Sequence, residues 1–120
     1  RPRSVRAESV NSAAQGARLE RRAARHYRLR GYRILGANVW AGGYELDLNA
    51  RRGRRLVFCE VKGKSGGGFG DPLEMVDEEK LRRLRRAGEA WLARNPDCQA
   101  LDCRFEVVAV RPGQLERVTV

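Results

Sequence analysis

Tyr44-Glu45-Leu46-Asp47-Leu48-Asn49-Ala50 and Leu56-Val57-Phe58-Cys59-Glu60-Val61-Lys62 decide the fold, and Arg51 to Arg55 joins them. In an extended chain successive side chains point to opposite sides. The first run therefore sets Tyr44, Leu46, Leu48 and Ala50 on one face and Glu45, Asp47 and Asn49 on the other. In the second, Leu56, Phe58, Glu60 and Lys62 share a face. Arg52-Gly53 is a turn signal, so the two runs form a hairpin. A two-residue turn there puts Glu45 opposite Glu60 with Asp47 diagonal, and a four-residue loop puts Asp47 opposite Glu60. Any even loop gathers Asp47, Glu60 and Lys62 on one face, and an odd loop separates them. Carboxylates that face each other across a ladder repel. They make sense around a hard cation such as Mg²⁺, which takes carboxylate oxygens and keeps open positions for water and phosphate.

Upstream, Tyr32–Trp40 reads as a first strand ending in the Gly42-Gly43 turn. From Ser12 the pattern is helical: Ala13, Ala17, Ala24 and Tyr27 form a stripe that stops at Gly31. Residues 1–11 are basic and without period and read as a flexible N-terminal arm, leaving 12–120 as a single domain. Downstream, the stretch from Gly63 to Gly70 holds five glycines and reads as a mobile rim loop. It is not a P-loop, because no GK[ST] follows. Asp71-Pro72 with Glu74 supplies a helix start. Val76, Leu84, Ala87 and Trp91 carry its apolar stripe to Asn95-Pro96. Arg104–Val110 is a fourth strand and Leu115–Val120 a fifth. Helix, three strands, helix, strand is an α/β fold with a mixed central sheet flanked by helices.

Composition bounds the function. The 120 residues suit one domain, and 42% hydrophobic with 33% charged residues exclude a disordered tail or fibrous repeat. Twenty-five Lys+Arg against 15 Asp+Glu give a net charge of +10, which implies a polyanionic partner, nucleic acid first. No apolar run approaches the ~20 residues of a membrane span, and no leader pattern opens the chain. Three cysteines without a CxxC pair and one histidine give no zinc set and fit a reducing, cytoplasmic setting.

Only three basic residues are lysines, Lys62, Lys64 and Lys80. At position 62, two residues after Glu60, a compact ammonium could orient water or meet charge developing on phosphorus. Glu20 interrupts the apolar stripe of the first helix, which is costly unless it has a partner. That partner is either a metal or an arginine such as Arg33 or Arg55. Lys80 interrupts the second stripe and points either to the site or out to solvent. Arg82, Arg83, Arg85 and Arg86 either track phosphates or solvate a helix. Trp40 and Trp91 read as core, His26 as a packing residue, and Cys59 as facing away from the carboxylates.

These residues carry a family resemblance. Asp47, twelve residues, then Glu60-Val61-Lys62 resembles the D…ExK signature of the restriction-endonuclease-like superfamily. More closely, the chain resembles the YraN-like uncharacterised bacterial proteins. The matching pieces are Glu20-x-x-Ala23, Gly31-Tyr32-x-Ile34-Leu35, Asn38, Glu45-Leu46-Asp47-Leu48, Leu56 to Lys62, Phe69-Gly70, Lys80 with Leu84, and Arg104 to Val108. The resemblance implies a restriction-endonuclease-like αβββαβ core and a metal-dependent endonuclease acting on DNA, branched or damaged forms included. Asp47 and Glu60 would hold Mg²⁺ or Mn²⁺, Lys62 would be the catalytic lysine, and Glu20 an accessory acid. Lys64, Lys80, Arg82, Arg83 and Arg86 are the expected nucleic-acid contacts, and a homodimer is expected by the same likeness. The alternative is a nucleic-acid-binding module that keeps the fold without the reaction. Three departures stand out: Tyr44 where the family usually has glycine, Cys59 for valine, and Glu106 for a common aspartate.

Overall fold

The computed structural model describes residues 2–63 and 76–120, with side chains from residue 14 onward. Its elements are α1 (Pro2–Leu29), β1 (Arg33–Ala41), β2 (Tyr44–Arg52), β3 (Arg55–Gly63), α2 (Glu78–Arg94), a 3₁₀ turn (Pro96–Cys98), β4 (Asp102–Arg111) and β5 (Gln114–Thr119). The strands form one sheet in the order β1-β2-β3-β4-β5. Among the described residues only β3 and β4 pair in parallel, and α2 lies between them in the chain. This is the expected mixed α/β sheet with a helix on each face.

The apolar run from Leu56 to Cys59 is fully buried because β3 is covered on both sides. Val57 and Cys59 join Ala23, Ala24 and Tyr27 of α1, whereas Leu56 and Phe58 join Leu84, Ala87 and Trp91 of α2. Burying each of the larger side chains contributes about 1.5–3 kcal/mol. Gly88 lets α2 lie close to the sheet, since a Cβ there would come within 2.7 Å of the Phe105 ring.

Both helices differ from their expected starts. α1 begins at Pro2, so residues 2–11, expected as an arm, continue the helix. A missing apolar period removes a packing face but not helix propensity, and Arg3 to Asn11 contains neither Gly nor Pro. α2 begins at Glu78 behind Asp77, whose side chain accepts the Lys80 N–H at 2.9 Å. Glu78 and Glu79 then complement the positive end of the helix. Val76 therefore lies before α2 rather than on its stripe. The expected Asp71-Pro72 start, the glycine loop and Lys64 lie outside the described residues.

The hairpin closes one residue later than the turn signal suggests, with Arg52 paired to Arg55 around Gly53-Arg54. The loop is even, and Gly53 takes φ +59, a backbone conformation natural to glycine. The expected alternation along β2 breaks halfway. Tyr44 and Leu46 pack with the α2 layer, but Leu48 and Ala50 pack with the α1 layer. The β1–β2 ribbon turns over between them, beside Asn38, which has φ 54.

Candidate active site

The site lies where β2 stops pairing with β3. Their ladder runs from Arg52↔Arg55 to Leu48↔Cys59 and goes no further. At the next position the Val61 N–H donates to Asp47 Oδ2 at 2.9 Å, so the Asp47 side chain replaces a main-chain partner. The break in alternation and the position of Asp47 are thus one feature. Past this point β3 carries Glu60 and Lys62, with Lys62 Nζ 3.1 Å from Glu60 Oε2. Their side chains keep 18% and 23% exposure, enough to reach a ligand.

Helix α1 supplies Glu20, half-buried because it follows Leu19 on the flank that meets the sheet. The Asn38 side chain is the polar neighbour that holds its pKa down against burial. Asn38, and not one of the arginines (Arg33 or Arg55) offered as the alternative to a metal, is the side chain that acts on it. Arg33 is exposed, and the charge of Arg55 acts on Glu106 instead. One carboxylate oxygen from each of Glu20, Glu45 and Asp47 lies within 4.8 Å of the others. Glu45 was not among the expected site residues. Its signal was the Glu45-x-Asp47 spacing, which keeps two acids on one stretch of strand.

The electrostatics of this cluster are unfavourable for carboxylates alone. Burial, the Glu60 charge and the charges of Glu20 and Glu45 raise the Asp47 pKa to about 7, against the lowering effect of the Val61 N–H. Burial also raises Glu20, with Glu45 and Glu60 adding to it and the Asn38 bond opposing it. Converging hard oxygen donors that repel one another are the donor set that Mg²⁺ or Mn²⁺ takes. The residues present therefore fit such an ion.

A cleft of about 390 Å³ opens over the cluster, and its lining includes Glu20, Glu45, Asp47, Glu60 and Lys62 together with Tyr44, Lys80 and Arg83. Of the expected nucleic-acid contacts, Lys80 and Arg83 thus reach the cleft. Arg83 also stands over the Tyr44 ring at 5.6 Å from its centroid. Arg82 is held by Glu79 through Nε at 3.1 Å and lines a separate depression with Arg85. Arg86 is exposed on α2 and does not line the cleft, so the basic helix face is divided rather than aimed as a whole.

Behind the site lies a second polar group. Tyr27 OH donates to Glu106 Oε1 at 2.5 Å, and Arg117 grips both Glu106 oxygens at 2.9 and 3.1 Å. Cys59 Sγ lies 3.2 Å from the Tyr27 hydroxyl. Complete burial pushes the Cys59 thiol up, and burial likewise pushes the Tyr27 phenol up, so neither is poised to ionise. Cys59 is structural, as its position on the strand suggested.

A model of the family described as "Uncharacterised protein family UPF0102" matches residues 19–110. Similar curated proteins carry the same family designation. One from Dechloromonas aromatica (strain RCB) is 39% identical over 105 residues, covering 88% of this chain and 85% of its own. Another from Symbiobacterium thermophilum is 44% identical over 94 residues, covering 78% and 79%. A third, from Beutenbergia cavernae, is 45% identical over 97 residues and covers 81% of each chain.

Proposed function

The chain belongs to the uncharacterised protein family UPF0102, the YraN-like family its motifs resemble, and we propose that it is a metal-dependent endonuclease that hydrolyses phosphodiester bonds in DNA. The observation that carries this reading is the convergence of Glu20, Glu45 and Asp47 beside the Glu60–Lys62 pair, in an open cleft of a protein with net charge +10. Hydrolysis adds water across one P–O ester bond, leaving a phosphate monoester on one fragment and a hydroxyl on the other. Negative charge grows on the phosphoryl oxygens as the new bond forms.

Asp47 and Glu60, with Glu45 and Glu20 beside them, are the residues that would hold Mg²⁺ or Mn²⁺. When bound, the ion supplies positive charge at the phosphate and acidifies water. Asp47 is oriented by the Val61 N–H, so its carboxylate is placed before substrate arrives. Lys62, fixed against Glu60, brings an ammonium to the edge of the cleft where charge develops. Lys80 and Arg83 line the same cleft and can contact flanking phosphates.

The test is a cleavage assay on plasmid and four-way-junction DNA with Mg²⁺ or Mn²⁺, with Asp47→Asn as control. Metal-dependent cutting lost in the variant supports the nuclease. Undiminished cutting by the variant refutes the assignment. A second reading, a binding module of the same fold, is favoured by one observation: Tyr44 and its Arg83 partner crowd the cleft where the family usually has glycine. DNA binding without cutting in either metal would select it.

A further inference from the structure

Trp40 was expected in the core, but it is 65% exposed near the end of the edge strand β1. A single exposed apolar residue is ordinary in itself, so the place of the ring decides what it means. Its register gives its place. Trp40 and Glu45 are direct partners in the antiparallel β1–β2 pair, so their side chains rise from the same face. Glu45 belongs to the acidic cluster, so the indole rises from the strand position directly across from one of its members. The Trp40 carbonyl accepts a 2.5 Å bond from Arg94 Nη2, which ties this strand end to α2 while leaving the ring open.

A groove leads from the cluster between α1 and β1, with a volume of about 260 Å³. It shares Glu20 with the cleft and carries Arg21 and Arg28, both exposed on α1, above Ile34 and Asn38. Guanidinium groups along one wall suit a phosphate backbone.

We propose that Trp40 is a stacking platform for an unpaired nucleobase next to the reacting phosphate, so that the substrate is single-stranded DNA or DNA with splayed bases at the cut. Bases inside a duplex already have both faces stacked, whereas an unpaired base has a face free for an aromatic ring. The proposal rests on the nuclease reading of the acidic cluster and adds the substrate class to it. A second copy of this chain is a poorer occupant of the exposed ring, because a net charge of +10 repels itself and attracts a polyanion.

The test reads binding without chemistry. The full chain, in EDTA at low salt, is titrated with oligothymidylate and with a blunt duplex of equal length. Trp40→Ala should weaken oligothymidylate binding on the order of tenfold to a hundredfold, with duplex binding changed by less than about twofold. Trp40→Phe should restore most of the loss. Oligothymidylate should also quench the exposed Trp40 while sparing Trp91, which is only 8% exposed beneath α2. Equal losses on both ligands, or no loss on either, would overturn the platform. So would a Trp40→Ala variant that dissociates a dimer in sedimentation while its DNA affinity stays intact. Because no metal or cleavage enters the readout, a failed nuclease assay leaves this result standing, and a failed platform leaves the nuclease assay standing.

Discussion

Glu106 and Asp47 are both buried or half-buried carboxylates on neighbouring parts of one sheet, yet their surroundings are opposite. Burial alone would raise Glu106, but bonds from Arg117 and Tyr27 and the Arg117 charge outweigh it and hold its carboxyl below the usual range. Arg117 also lies over the Tyr27 ring at 4.6 Å, so a single guanidinium satisfies the acid and packs the aromatic. Asp47 receives one backbone N–H and otherwise faces Glu60, Glu20 and Glu45. One carboxylate is completed by the protein, and the other is left for something cationic to complete. Polar groups placed for stability find their partners inside the fold, whereas those placed for binding lack them.

The largest expected effect follows from that contrast. Asp47→Asn or Lys62→Ala should cut metal-dependent DNA cleavage on the order of 10²–10³-fold, measured as kcat with Mg²⁺. Neither variant should lower the melting temperature. A variant that cleaves normally, or one that unfolds, would erase the distinction between the two regions.

The converse substitution tests the completed acid. Arg117→Met leaves Glu106 buried without its cation and should cost about 3 kcal/mol in denaturant unfolding. Adding Glu106→Gln should return part of that loss, since it removes the stranded charge. An Arg117→Met protein as stable as the parent would show that the ion pair is idle.

This comparison also separates what the sequence could reveal from what it could not. The hairpin, the sandwich of α1 and α2 about the sheet, and the D…ExK spacing rest on alternation and short loops, which are local properties. The turnover of the ribbon was hidden, because it goes with Asp47 accepting the Val61 N–H, a contact between strands, whereas Glu45 was in view two residues before Asp47 and was passed over. Strict alternation assumes an unbroken ladder and therefore misassigns Leu46 relative to Leu48. Trp40 was misjudged for a related reason. Its apolar character suggests core, but whether β1 is an edge is decided by strand order. Glu106 was visible only as a departure from a common aspartate, and its partner Arg117 comes from β5, eleven residues on.

A cation should distinguish the regions without mutation. Mg²⁺ at about 100 times its dissociation constant should stabilise the parent by about 2.7 kcal/mol. The gain should shrink sharply in Asp47→Asn and survive in Glu106→Gln, as read from melting curves with and without the ion. An equal gain in all three proteins would place the ion elsewhere.

The smallest effect concerns acid. Since the folded Glu106 carboxyl titrates below its ordinary value of 4.5, the unfolded chain takes up the proton first as pH falls. The stabilisation from Glu106 is therefore present above about pH 4.5 and is lost as pH falls through the depressed folded value. Glu106→Gln lacks this contribution throughout. The stability difference between parent and variant should be widest near neutral pH and narrow below pH 4.5, as followed by denaturant midpoints across that range. A gap that stayed constant into acid would mean that shape and hydrogen bonding, rather than the charge of Glu106, hold α1 to β4 and β5.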